Sequence, residues 1–391
     1  MKKIVCLIAC LMLCLCASGA MADTEGDFEY SVSNGEATVT GYTGDAAELV
    51  VPETLGGHPV TNIGKYAFED CGSLVSIDLP EGLKSIGDGA FYDCSSLTSI
   101  DLPEGLASIG MRAFCGCSSL ESIALPDGVT SIKDGTFLLC SSLVSIDLPD
   151  GVTTVEDFAF RDCSSLASID LPDSVTSIGG YAFEWCHSLV SIDLPDELMS
   201  IGDAAFRQCE SLISIDLPDG VTSIGEETFR SCHSLLSVRR PDRLTSIGDS
   251  AFFMCIKLAS IDFPDGLKHI GNGAFQHCLA MSMIQLPRQL EMIGEDAFDG
   301  CDMSSLTIPP SVNSILYPIA NHCSELTSVV LPRELTEIAE DAFPEHVIKV
   351  YCYKGSKAEV WAKNSGRIVY YLDTHSIEED ITLSGPEKTG F

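Results

Sequence analysis

Positive charge is scarce in this chain. Lys and Arg together number 22 against 57 Asp and Glu in 391 residues, and the formal net charge is −35. Such a surface repels a phosphate backbone, which excludes nucleic-acid binding driven by counterion release. Long apolar runs are scarce too. Beyond the first 22 residues no run of about 18 apolar residues occurs, so no transmembrane span is expected. G-x-S-x-G, H-E-x-x-H and P-loop patterns, which would organise a nucleophile, a zinc ion or a phosphate, are missing. The 8 histidines are scattered and form no evident triad. These absences predict a protein that is not an enzyme and has no catalytic residues, cofactor or metal centre.

The one apolar run opens the chain: MKKIVCLIACLMLCLCASGAMADTEGD. Lys2 and Lys3 give it a positive start. Ile4 to Ala17 is apolar, and Ala20-Met21-Ala22 is a small-x-small site. This predicts a secretory signal peptide over residues 1–22. Leu7-Ile8-Ala9-Cys10 is similar to a lipobox but sits too near the start, with apolar residues continuing after it.

What is abundant is repetition. Residues 141–163 read SSLVSIDLPDGVTTVEDFAFRDC, and residues 164–186 read SSLASIDLPDSVTSIGGYAFEWC. Take LVSIDLPEGLKSIGDGAFYDC, residues 74–94. Ile77 and Leu79 are two apart and share one face of a strand, while Val75 and Asp78 look outward. Pro80 has no N–H and closes the ladder. Ser85-Ile86-Gly87 is a second short extended piece. Ala90 and Phe91 turn inward, and Cys94 closes the coil. One such unit cannot bury its own apolar face, so each coil must be the wall of the next.

The expected fold is therefore a leucine-rich-repeat solenoid, a parallel β-sheet of about 13 coils of 23 residues. The expected boundaries are an N-terminal β-hairpin cap over 23–46, around Asn34-Gly35, and a solenoid over 47–353. A C-terminal helical cap follows over 354–371, then a flexible tail over 372–391. The phenylalanine column misses one beat at SVNSILYPIANHC, where Ile319-Ala320 replaces Ala-Phe. Repeat decay or a hinge would account for it.

Of the 18 cysteines, those from Cys71 to Cys301 recur every 23 residues, and Cys323 follows after 22. Parallel side chains on adjacent coils usually lack the disulfide dihedral, so buried thiols are expected. Cys186-His187 and Cys232-His233 stand two coils apart, roughly 10 Å, which is too far for one zinc ion. Cys115 is a stray residue in the variable slot after Phe.

Acid occupies the outward strand position. Asp78, Asp101, Asp147, Asp170, Asp193, Asp216 and Asp262 recur there, and a second acidic column follows each Pro from Glu81 to Asp265. Unit charges about 4.8 Å apart repel by roughly 0.9 kcal/mol even in bulk water. The column is either a solvated face that keeps the solenoid soluble or a surface for a basic partner or weakly shared Ca²⁺ ions. Arg239-Arg240 interrupts it with a positive notch, a candidate specificity point.

Three segments together, LxSIxLPxxVTSIGxxAFxxC, the opening ATVTGYTGDAAELVVP with GHPVTNIGKYAF, and the closing VYCYKGSKAEVWAKN, resemble the BspA-like, Treponema-type leucine-rich-repeat family of bacterial surface proteins. The resemblance covers about residues 28–371. It implies a secreted or cell-surface protein that mediates adhesion by binding a protein or cell-surface macromolecule. It brings no catalytic motif. A structural surface or matrix component without a specific ligand is the alternative, and an enzyme or inhibitor module a more remote one.

Overall fold

The computed structural model describes residues 22–239 and 241–372. Nearly all of the expected signal peptide and tail, and Arg240, lie outside them. The chain divides into two compact units, Met1–Val175 and Thr176–Phe391.

The first unit opens as expected with a hairpin, Phe28–Ser33 antiparallel to Glu36–Tyr42, and Asp23–Glu25 adds a third strand. Glu36–Tyr42 then turns from hairpin partner to template, because His58–Ile63 pairs with it in parallel. From there the coils follow one rule. Ile63 faces Ile86, and Ile86 faces Ile109, each 23 residues on. This is the second strand column, built from the Ser-Ile dipeptides. The Ser-Ile-Asp segments build the first column: Glu48–Val50, Ser76–Asp78 and Ser99–Ile100 pair in that order.

The second unit repeats the rule. Ser223–Ile224, Ser246–Ile247, His269–Ile270 and Met292–Ile293 form one parallel sheet, and Ser314–Ile315 pairs with Glu337–Ile338. In its first column, Ser305–Thr307, Ser328–Val330, Lys349–Cys352 and Ile368–Tyr371 pair in sequence. The solenoid expectation holds in each unit.

Inside, the phenylalanines stack. Phe68, Phe91, Phe114, Phe137 and Phe160 lie 5.2–5.6 Å apart in the first unit, with near-parallel rings. Phe183 through Phe298 do the same in the second unit, at 5.2–5.8 Å. Burying such a side chain stabilises by roughly 1.5–3 kcal/mol, and offset stacking adds about 0.5–1.5 kcal/mol. All these rings are fully buried.

The cysteines sit beside them as donors. Cys94 Sγ donates to the Phe68 carbonyl at 3.1 Å, and Cys117 Sγ to that of Phe91 at 3.2 Å. The same bond runs from Cys209 to Phe183 and on to Cys323 with Phe298, at 3.0–3.3 Å. The thiols are reduced, and all but Cys71 are buried. A thiol is small enough to pack as an apolar group and still occupies a carbonyl that would otherwise lose a partner.

In the coils from Phe68 to Phe298 the turn around Phe holds two residues with positive φ. One set is Tyr66, Gly89, Arg112, Gly135 and Phe158; the other, just before each Cys, includes Asp70, Asp93, Gly116 and Leu139. Their φ lies between 52° and 78°, and the positions are occupied mostly by non-glycine residues. Each such residue costs about 1–2 kcal/mol, which the inter-coil bonds offset. Phe91 N–H, for example, reaches the Ala113 carbonyl at 2.8 Å and Asp93 N–H the Cys115 carbonyl at 2.7 Å. Glycine is the better fit elsewhere, at the end of most Ser-Ile steps, although Lys133, Glu156 and Ala339 hold that place in other coils. A Cβ on Gly110 would stand 2.3 Å from Asp88 N of the coil before.

At the missed beat the ladder continues. Phe298 N–H bonds to the Ile319 carbonyl at 2.9 Å, as Phe275 N–H does to Ala297. Ile319 and Ala320 are buried in the places of alanine and phenylalanine.

A single helix, α1 (Lys357–Asn364), closes the second unit, within the expected C-terminal cap. Ser356 caps it, accepting from Glu359 N–H. Trp361 lies edge-on to Phe343, their ring centroids 5.8 Å apart. Arg367 donates to the carbonyls of Phe343, Pro344 and Val347, and its guanidinium covers the Trp361 ring at 4.2 Å. No helix among the described residues is long and apolar enough to cross a membrane.

Candidate functional site

The first strand column carries the predicted residues. Asp78, Asp101, Asp147 and Asp170 are all exposed in the first unit, and Asp193, Asp216 and Asp262 are exposed in the second. The alternation of a strand produces this directly: Ile77 is buried at 3% exposure between outward Ser76 and Asp78. Strand register keeps the carboxylates in line. Val50 faces Asp78, and Ala124 faces Asp147, so a neutral residue breaks the row there. Asp262 repeats the Ser-Ile-Asp wording but lies outside any strand. In that coil Phe263 stands for the usual leucine and sits edge-on to Phe275 at 5.7 Å.

The positive notch is partly answered from its own face. Arg239 lies opposite Asp216 in the register, and Arg239 Nη1 is 3.9 Å from Asp216 Oδ2. Both side chains remain more than two-thirds exposed, at 79% and 71%, so the pair is worth little to stability. Arg240 is outside the described residues.

Beside the carboxylates runs a row that the residue types alone did not single out. Val190, Ile213 and Leu236 occupy one outward position on successive coils, linked by Ile213 N–H to the Val190 carbonyl and Leu236 N–H to the Ile213 carbonyl. All three are exposed. Val75 and Val144 hold the same position in the first unit. The outer face of the second unit thus presents an aliphatic row next to Asp193, Asp216 and Arg239.

On the opposite turn, the variable slot after Phe hides a charge network. Glu184 is buried, and Arg207 Nε lies 3.5 Å from it. Arg207 and Arg230 each donate to Glu227 at 2.7 Å, and Arg230 covers the Phe253 ring at 4.4 Å. Further on, buried Asp299 accepts from Gln276 at 2.9 Å and from the His322 backbone N–H at 2.7 Å. Its acid strength balances burial, which raises the pKa, against these hydrogen bonds, which lower it, and the bonds win. In the same slot, burial pushes the Cys115 thiol up to about 11. Within the charge network Arg207 Nε is buried and makes an ion pair but no hydrogen bond. Among the described residues no group of three His, Cys, Asp or Glu is placed to hold a metal ion.

Comparison with known proteins agrees with this architecture. No curated protein matches the sequence. A leucine-rich repeat protein from Bacteroides ovatus is 27% identical, with a TM-score of 0.74 over 90% of this chain and 100% of its own. A leucine rich cell surface protein from Faecalibacterium prausnitzii is 28% identical, with a TM-score of 0.57 over 87% of this chain and 96% of its own. The pneumococcal vaccine antigen PcpA, at 22% identity and a TM-score of 0.64 over 90% and 98%, shares the fold. The family profile described as BspA type leucine rich repeat region (6 copies) matches residues 61–175, 153–282 and 245–356. With its Ser-Ile strands, Ala-Phe turns and cysteine steps all in that period, the chain belongs to the BspA type leucine-rich-repeat family.

Proposed function

We propose that the chain is a secreted or cell-surface bacterial protein that binds a macromolecule, and so mediates adhesion, through the outer face of its first strand column. It performs no chemical transformation in this reading. The observation that carries it is the pairing of two exposed rows on one face: carboxylates at Asp193 and Asp216, and aliphatic side chains at Val190, Ile213 and Leu236. Exposed apolar surface rimmed by charge is a usual mark of a protein-binding site. The sign of the charge favours a basic protein partner and disfavours nucleic acid. The export signal over residues 1–22, the cap and solenoid limits and the tail over 372–391 belong to the same reading; Asp262 extends the face, and Asp78, Asp101, Asp147 and Asp170 form the corresponding row of the first unit.

A variant with Asp147, Asp170, Asp193 and Asp216 changed to Asn tests it. The substitutions keep shape and remove four charges. Capture of basic matrix proteins and bacterial surfaces should fall, and association should lose its acceleration at low salt. If Ca²⁺ is shared weakly between coils, the native chain should also melt higher in its presence and the variant should not. Unchanged capture and salt dependence would leave the columns as a solvated face of a structural component. A loss confined to Arg239 and Arg240 variants would move the site to the notch.

A further inference from the structure

The second strand column ends at Glu337–Ile338, which pairs with Ser314–Ile315 alone. In the sheet from Ser223–Ile224 to Met292–Ile293 each strand passes two carbonyls to the strand that follows, and Met292–Ile293 itself has no strand paired beyond it among the described residues. The Thr245 carbonyl accepts Lys268 N–H at 2.9 Å, and the Ile247 carbonyl accepts Gly271 N–H at 2.9 Å. The equivalent groups of the last strand are the carbonyls of Thr336 and Ile338. Among the described residues neither accepts a hydrogen bond. α1 stands beside this strand across a groove, and Trp361 Nε1 takes the Ala339 carbonyl, at 2.9 Å.

The helix caps the phenylalanine core without filling the strand edge. Between them is a groove of about 470 Å³, with Thr336, Glu337 and Ile338 on one wall and Val360 and Trp361 on the other. Val360 is 54% exposed there. Glu340 joins Glu337 at the lining, against one ammonium from Lys357.

We propose that this groove takes an extended, cationic peptide segment of a partner protein, added as a parallel strand to Glu337–Ile338. Two carbonyls at strand spacing need N–H donors at strand spacing, and an incoming strand supplies them in the register the column already uses. A helical ligand has its own N–H groups engaged and cannot. Alternate side chains of the incoming strand would rest against Val360. The two carboxylates outnumber the one ammonium, so the segment carries Lys or Arg. This site is separate from the outer face of the first column and does not depend on it.

The test uses the full chain and a fluorescein-labelled peptide, acetyl-Lys-Val-Thr-Ser-Ile-Gly-Lys-amide, with binding read by anisotropy. Saturable binding is expected. N-methylation of alternate peptide amides should weaken it about tenfold, because it removes donors and keeps charge. The Glu337→Lys, Glu340→Lys double variant should weaken it by a similar factor at an unchanged melting temperature, while the four-Asn variant of the outer face should bind normally. Absence of saturation near about 1 mM, or binding indifferent to N-methylation, overturns the proposal. Self-association that Glu337→Lys abolishes and that excludes the peptide would give the groove to a second copy, and also overturns it.

Discussion

Arg367 Nη2 donates to the Phe343 carbonyl at 3.0 Å, the place a thiol holds two coils earlier, where Cys323 Sγ meets the Phe298 carbonyl at 3.0 Å. Among the described residues no cysteine follows Cys352, and an arginine reaches back to take that place. Replacing Arg367 with Met should cost about 2 kcal/mol, since it strips donors from three carbonyls and uncovers Trp361. Urea unfolding would show this as a lower midpoint at constant slope. Arg333→Met, which touches only the Tyr353 ring at 5.0 Å, should change the midpoint little.

The core column should be far less tolerant than the acidic one. Phe229→Ala should destabilise by about 3–5 kcal/mol, because the cavity lies between two stacked rings. Asp170→Asn should stay within about 0.5 kcal/mol. Equal melting temperatures for the two would remove the phenylalanines from the core.

Alkaline pH should unfold the protein. Burial raises the column thiols well above their ordinary pKa, Cys94 to about 12 and Cys323 to about 11. Below about pH 8.5, folded and unfolded chains both hold these protons and stability is full. Above it the unfolded chain releases them first, so each thiol withdraws up to about 1.4 kcal/mol per pH unit until the folded pKa is reached. Melting temperature should be level from about pH 6 to 8 and fall steeply beyond 9. A Cys94→Ala, Cys323→Ala variant should fall less steeply, although it starts lower.

Leu139 is exposed and holds φ at 64°. Leu139→Gly should stabilise by up to about 1 kcal/mol, the left-handed cost being larger than the entropy glycine adds to the unfolded chain. A calorimetric melting temperature below that of the native chain would show that the inter-coil bonds, not the residue, set this angle without strain.

Much of this was legible because it repeats. Ile86, Phe91 and Cys94 each recur in phase, and a residue type that recurs every coil marks a position with one environment. The hairpin around Asn34-Gly35 and the helix at Trp361 also carried local signals. The left-handed positions did not, since Tyr66, Arg112, Phe158 and Glu227 share no chemistry and the backbone alone selects them. Arg367 was invisible for the opposite reason: it occurs once, outside the period, and its partners are carbonyls 20–24 residues away. The charge network of Glu184, Arg207 and Arg230 with Glu227 looks like random variation in two slots until coils are stacked. For the candidate face, sequence found the acidic row but not the aliphatic one beside it: Val75 read as outward, yet its position varies among Val, Thr, Glu, Ala, Ile and Leu from coil to coil and so shows no column.

The thiol ladder makes unfolding a one-way event in an oxidising medium. While folded, the chain keeps its column thiols beyond Cys71 buried, most of them donating to a Phe carbonyl, and burial holds them protonated. Once the coils separate, those cysteines become free together on a flexible chain, with many wrong disulfide pairings open to them and none that the native fold uses. Refolding would then compete with scrambling. A heated sample should therefore show hysteresis that reductant removes, and its working lifetime outside a cell would be set by the rate at which it opens rather than by its free energy of folding.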